Sequence, residues 1–396
     1  MTLERVLSAP RLRSAAKPVR RRVTWLELFF DLIFVAAVAQ VGRPLAEDYS
    51  IAGLARYSFL FVLIWWAWSG HTLYCTRFDQ DDLVQRCLVL TQCFLAAVMA
   101  ANAREALDSR ASAGFGAAYA ALRMVLVAQY VRARQVVETR ALATRYATGF
   151  GAAAAVWLAS SLVDAPARYW VWGLGLALDF ATPWLAAAHT VRFPPDAAHF
   201  PERFGLFTII LLGEFVAAVM RGIESQEYWS FPAAFTAFGG MAFAFVLCWW
   251  YFDVARSAEE RHIHNRKQAW WFEAWQYAHL PLLLGVAVAG VGFERAIAGR
   301  DSAGMACAAY AVLSLALVAI GGSRPGARAR QWPGYGLALL AAAACWGAAS
   351  AGRVPMAAAL AGSCLAQACL GRRVASPVRS FSVAASETQI PGRSRL

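Results

Sequence analysis

Charge is what this chain lacks most. Of its 396 residues only 16% are Asp, Glu, Lys or Arg, while 59% are hydrophobic. A soluble fold of this length needs a far more polar surface, so that class is excluded. The alternating segments of about ten residues that build a membrane β-barrel are absent, which leaves helices as the spanning element. No CxxC pair occurs. None of the eight cysteines, Cys75, Cys87, Cys93, Cys248, Cys307, Cys345, Cys364 and Cys369, stands at zinc-site spacing from a histidine. They read as small apolar fillers. There is no P-loop and no GxSxG nucleophile elbow, and Gly321-Gly322 follows no strand. With no visible set of nucleophile, base and orienting group, no enzyme activity is expected, nor any cofactor or metal.

What is there is a series of apolar blocks of bilayer-spanning length, about 20 residues each. They fall at 24–43, 51–74, 83–103, 113–131, 146–163, 169–188, 203–221, 231–252, 269–292, 303–322, 334–350 and 355–371. The fold class is therefore all-α, a polytopic helical membrane protein of about twelve spans; the last two blocks are short and rich in Ala and Gly, so ten or eleven remain open. The net charge of +12 lies in loops and tails. Lys and Arg divide roughly three to one in favour of the side that carries both tails, the bias of cytoplasmic loops. That distribution predicts both termini in the cytoplasm and no nucleic-acid partner. The basic stretch up to Arg22 runs directly into the first block with no small-residue cleavage site, so a retained first helix is expected.

The halves look alike. FVLIWW at 61–66 matches FVLCWW at 245–250, Gln92 matches Gln276 at the same offset, and FVAAV occurs at 34–38 and 215–219. Six spans per half keep both halves in one orientation, which makes this a parallel repeat. The expected organisation is a basic cytoplasmic tail over 1–22, one six-helix half over 23–190, a second over 199–373, and a disordered Ser/Arg-rich cytoplasmic tail over 374–396.

Ionisable groups inside such blocks are expensive and mark paired networks or pathways. Glu27 and Asp31 are four apart in VTWLELFFDLIFVAAVAQV, residues 23–41, and so share one helix face. Glu27 is placed at the membrane edge and Asp31 one turn deeper. The seventh block opens HFPERFGLFTIILLGEFVAAV. Pro201 suits a helix start, which puts Glu202 and Arg203 at the interface. Glu214 then lies about 16 Å deeper, the strongest single candidate for an intramembrane acid. Gly213 is expected to permit close helix approach. Arg123 and Asp179 lie at depth and are expected to pair. His279, before Pro281, is either a proton relay or a hydrogen-bonded core residue. Asp253 and Glu273 end and begin spans and are read as interfacial charges. The Trp clusters (Trp65, Trp66 and Trp68; Trp249 and Trp250; Trp270, Trp271 and Trp275) are read as interfacial belts.

The run Thr24-Trp25-Leu26-Glu27-Leu28-Phe29-Phe30-Asp31-Leu32-Ile33-Phe34-Val35 resembles the N-terminal signature of the bacterial low temperature requirement protein A family. Glu202-Arg203-Phe204-Gly205-Leu206 through Leu212-Gly213-Glu214, and Trp249-Trp250-Tyr251-Phe252-Asp253, are similar to that family's pattern too. Phe215 departs from it, standing where a small polar residue is expected. The resemblance covers roughly 20–370 and implies a bacterial inner-membrane protein linked to growth in the cold. It implies no chemistry. From the residues, the leading expectation is a secondary transporter or a proton- or cation-coupled permease. Its partners would be membrane lipids, a proton or cation and a small solute; the oligomeric state is left open. Glu27, Asp31, Glu214 and His279 would form the pathway. Glu202, Arg203, Arg123, Asp179, Asp253 and Glu273 would gate or pair. The alternatives are a passive ion channel, and a scaffold or lipid-handling protein whose acids are structural locks.

Overall fold

A computed structural model describes residues 10–12, 23–103, 106–107, 112–228, 230–255, 260–323 and 332–375. The expected tails, 1–22 apart from 10–12 and 374–396 beyond 375, lie outside the described residues.

Thirteen helices carry the described chain: α1 Trp25–Glu47, α2 Ile51–Cys75, α3 Leu83–Ala101, α4 Ser112–Ala133, α5 Arg140–Ala159, α6 Ala167–Leu185, α7 Ala187–Arg192, α8 His199–Glu224, α9 Phe231–Trp249, α10 Arg266–Ile297, α11 Ala303–Gly322, α12 Trp332–Ala349 and α13 Arg353–Ala375. A π-helical turn, Trp250–Val254, continues α9. A short 3-10 turn, Ser160–Leu162, follows α5, and Arg11–Leu12 pairs antiparallel with Phe78–Asp79. The protein is all-α and polytopic. Each apolar block coincides with one helix, and α7 is an addition. Among the described residues, nine helices are long and apolar enough to cross a membrane. The expected twelve is not reached by that measure, because α5 carries Arg140 and Arg145 among its alanines, α6 is diluted by Gly, Arg168 and Asp179, and α12 has a shorter apolar stretch over Pro333–Ala349.

Local signals set the helix starts. Thr24 and Glu27 form a reciprocal capping box on α1: Thr24 accepts from the Glu27 backbone, and Glu27 Oε2 accepts from the Thr24 backbone at 2.8 Å. Ser50, Asp82, Ser230 and Asn265 cap α2, α3, α9 and α10. At α8 the cap residue is Ala198, which has no side-chain acceptor. Asp196 substitutes, accepting from the backbones of Ala198 and His199 at 3.0 and 2.9 Å.

Two runs of helices share part of a neighbour order. α1 packs on α2 and α3, then α3 on α4, α4 on α5 and α5 on α6; α8 packs on α9 and α10, then α10 on α11, α11 on α12 and α12 on α13. The second helix of each run meets the sixth: α9 runs along α13, and Phe59 and Trp66 of α2 stack on Trp172 and Phe180 of α6. The runs join where α1 packs on α8 and where α10 packs on α1 and α2. Lipid-facing positions of α1, such as Phe29 and Leu32, stay exposed, while Phe30, Phe34, Val38 and Val41 are buried in the seam.

Two glycines matter to the seams. A Cβ at Gly222 of α8 would lie 2.9 Å from the Glu294 carbonyl of α10, so α8 and α10 approach closely there. At Gly70 of α2 it would lie 2.9 Å from Arg123 Nη1, so this glycine makes room for a buried guanidinium. Gly213 does not act as expected. A Cβ there meets nothing, because Gly213 points out of the bundle rather than at a neighbouring helix.

Candidate functional site

The α1–α8 seam carries charge at both ends. At the end where both helices start, Glu27 and Asp31 of α1 face Arg203 of α8. Arg203 Nη2 donates to Asp31 Oδ1 at 2.5 Å, and Nη1 lies 3.3 Å from Glu27 Oε1. Trp68 of α2 donates its indole N–H to Asp31 Oδ1 at 2.6 Å. His199, one turn before Arg203, meets Glu27 Oε1 through Nε2 at 3.1 Å, with the ring N–H as donor to the carboxylate. The capping box holds the other Glu27 oxygen, so one residue closes the helix start and joins the ion cluster. Asp31 and Arg203 are fully buried, and Glu27 and His199 nearly so. Asp31 Oδ2 and Arg203 Nε have no hydrogen-bond partner. This is a dry, interlocked charge cluster of the kind that costs several kcal/mol to break.

Packing of α1, α2 and α8 covers both Arg203 and Glu27, so neither is exposed on the bundle surface. Glu202 alone of that set keeps its exposure, lying 3.7 Å from His199 Nδ1. The sequence reading also missed His199 and Trp68. His199 was legible as the residue four before Arg203 on the same face. Trp68 was read with the Trp belts, but Trp65, Trp66, Trp68 and Trp275 are all core residues. Trp270 is half exposed.

Beyond this cluster the seam is aromatic. Trp68 contacts Phe204 and Phe207 of α8 at ring distances of 4.9 and 4.2 Å, and Phe30 packs on Phe34 at 4.5 Å. Phe204 also meets His279 of α10. His279 donates from Nδ1 to the Trp275 carbonyl at 2.9 Å, and Nε2 accepts from the Tyr251 hydroxyl at 3.0 Å. With one nitrogen donating and the other accepting, the ring is held as a neutral core histidine. It does not join the carboxylates.

Past the aromatic layer the seam opens. A cavity of about 280 Å³ lies among α1, α2, α8 and α10, with Val38, Leu211 and Phe215 among its buried lining residues. Its rim includes Arg43, Glu47 and Arg300, all exposed. Glu214 lines it, 23% exposed, and pairs with Arg221 Nη1 at 3.0 Å. Arg221 Nε reaches Glu294 Oε2 of α10 at 3.1 Å. Glu214 is eleven residues beyond Arg203, about 16 Å along α8. Asp31 and Glu214 are thus not brought together: one is locked in the dry cluster and the other lines the open cavity.

The remaining charges are placed as follows. Arg123 and Asp179 pair at 3.0 Å, both fully buried, with the Tyr119 hydroxyl donating to the same carboxylate oxygen at 3.0 Å. Asp253 is exposed and pairs with Arg372 of α13 at 2.5 Å. Glu273 is buried within the bundle, on the helix α10 that packs against α2, α7 and α8. Among the described residues no group of three His, Cys, Asp or Glu side chains could hold a metal ion.

Residues 22–371 match the family model described as bacterial low temperature requirement A protein. The match includes both ends of the α1–α8 seam. The chain is also similar to an uncharacterized protein of Rhizobium meliloti (strain 1021), with 28% identity over 294 residues, covering 70% of each chain.

Proposed function

The chain belongs to the bacterial low temperature requirement A family, and from that premise we propose that it is a secondary transporter or proton- or cation-coupled permease. The observation that supports this most is the asymmetry of one seam: α1 and α8 enclose an open charged cavity at one end and a dry ion cluster at the other. Alternating access needs such a pair of ends, one admitting solute while the other is shut. In this reading the Glu27–Asp31–Arg203 cluster, with His199 and Trp68, is the closed gate. Glu214 is the acid that meets the solute or ion, and Arg221 with Glu294 positions it. Two six-helix halves over 23–190 and 199–373 rock about the seam; the shared neighbour order supports that division. The positive-inside bias puts both tails and the gate at the cytoplasmic face of a bacterial inner membrane, with the cavity opening outward. Membrane lipids, a proton or cation and a small solute are its partners, and no enzyme activity is assigned.

The test is proton and alkali-cation flux in proteoliposomes, with wild type, Glu214→Gln and Asp31→Asn reconstituted equally. Flux lost in either variant, with folding intact, supports transport. A scaffold predicts no flux in wild type and unfolding in the Asp31→Asn protein. A passive channel predicts flux set by the gradient alone, without saturation, and the closed gate argues against it.

A further inference from the structure

Glu273 lies outside the α1–α8 seam. It sits about two turns into α10, 3% exposed, and neither carboxylate oxygen has a hydrogen-bond partner. Its helix neighbours make the setting specific. Gln276 and Tyr277 follow at i+3 and i+4, on the same side of α10. Gln276 donates its amide nitrogen to Ser69 Oγ of α2 at 3.0 Å, which leaves its Oε1 buried without a donor. The Tyr277 hydroxyl is buried as well, beside the Trp184 indole, and its ring stacks on Trp66, Phe180 and Trp184. Three oxygens on one face of one helix, the two of Glu273 and Gln276 Oε1, therefore have no hydrogen-bond donor.

A cation stands close by. Arg77, in the loop after α2, is fully buried, yet it takes neutral partners: the Phe193 carbonyl at 3.3 Å, the Tyr146 hydroxyl at 3.3 Å and Thr190 Oγ1 at 3.2 Å. Its charge reaches Glu273 without a direct contact. The other titratable groups facing Glu273 are Tyr146 of α5 and Tyr277 of α10 itself. His189 lies on α7, which packs on the same helix, next to Thr190.

An ionised carboxylate with no donor is among the costliest things to bury, whereas the neutral acid brings its own donor and needs one acceptor. Gln276 Oε1, at i+3 on the same face, is such an acceptor. We propose that Glu273 is a proton-binding site: it holds a proton in this conformation and releases it when it moves into contact with Arg77. The step is a simple exchange. The O–H bond of the acid breaks, the proton passes to water, and the Arg77 guanidinium becomes the counter-ion of the carboxylate. The coupling of that exchange to solute movement rests on the transport reading; the bound proton does not.

The experiment is infrared difference spectroscopy of the full chain in nanodiscs, stepped in pH, in water and in deuterium oxide. Wild type is expected to show a protonated-carboxyl stretch at neutral pH, shifted in deuterium oxide and absent in Glu273→Gln. Tyr277→Phe, which removes only a hydroxyl, is expected to move the band's frequency and keep the band. In Arg77→Gln the band is expected to persist at the alkaline pH where wild type has lost it. A neutral-pH spectrum with no band that Glu273→Gln removes overturns the proposal. So does loss of the band on adding sodium at fixed pH, which would make this a metal-cation site. None of these readouts requires flux, so the proposal and the transport reading fail separately.

Discussion

The two ends of the α1–α8 seam hold the same kinds of residue and do opposite things with them. At the closed end Asp31 and Arg203 are fully buried, Trp68 holds Asp31, and His199 and the capping box leave Glu27 little freedom. At the open end Glu214, Arg221 and Glu294 keep 23%, 39% and 14% exposure, so water screens their pairing. A buried pair is expensive to assemble and more expensive to half-dismantle, while an exposed pair exchanges partners at small cost. Energetics thus divides the seam into a part that holds and a part that exchanges, although a list of charges would not.

The sharpest way to break that comparison is to strip the closed end of its cation. Arg203→Met leaves two carboxylates in a dry seam and is expected to cost about 3–5 kcal/mol. Thermal or denaturant unfolding in detergent measures it, and a wild-type midpoint would mean that the cluster is not a lock. Next in size is Trp68→Phe, which keeps the aromatic packing on Phe204 and Phe207 and removes only the donor to Asp31. The same unfolding assay should lose about 1.5–3 kcal/mol, the worth of one hydrogen bond to a charged group, while Asp31 Oδ1 still accepts from Arg203. Smallest is Arg221→Gln at the open end, expected to cost less than about 1 kcal/mol because its pairs are partly solvated. Should that variant unfold as readily as Arg203→Met, the contrast between the ends would collapse. Its effect should appear in flux instead, through the orientation of Glu214.

Part of this was readable from the chain. The four-residue spacing of Glu27 and Asp31 in an apolar block gives a shared helix face before any packing is known, and the rise along α8 separates Arg203 from Glu214 by about 16 Å. Arg123 and Asp179 found each other as buried opposite charges do. The failures have physical causes. Pro201 marks the start of α8, but the burial of Arg203 depends on what packs across a helix start, and here α1 and α2 do. A tryptophan at a helix end and a tryptophan under a bundle look alike in sequence, so Trp68 gave no sign of its bond to Asp31. Gly213 neighbours Glu214 in sequence, yet adjacent residues on a helix point about 100° apart, and it faces outward. The same holds for Glu273: position along a helix does not report cover. Arg221, two turns after Glu214 on the same face, was a partner the spacing already offered.

The central claim is that the seam is open at one end because the Glu27–Asp31–Arg203 cluster shuts the other. Ala287, half-buried in the cavity wall, is the reporter position. In a cysteine-free background, Ala287→Cys is labelled with a membrane-impermeant maleimide from each face of oriented vesicles. The gate is then weakened with Glu27→Gln, which keeps the helix cap and removes the charge facing Arg203. The account predicts labelling from the cavity face alone with the gate intact, and labelling from both faces once Glu27 is changed. Labelling from both faces with the gate intact, or one-sided labelling that Glu27→Gln leaves unchanged, would contradict it.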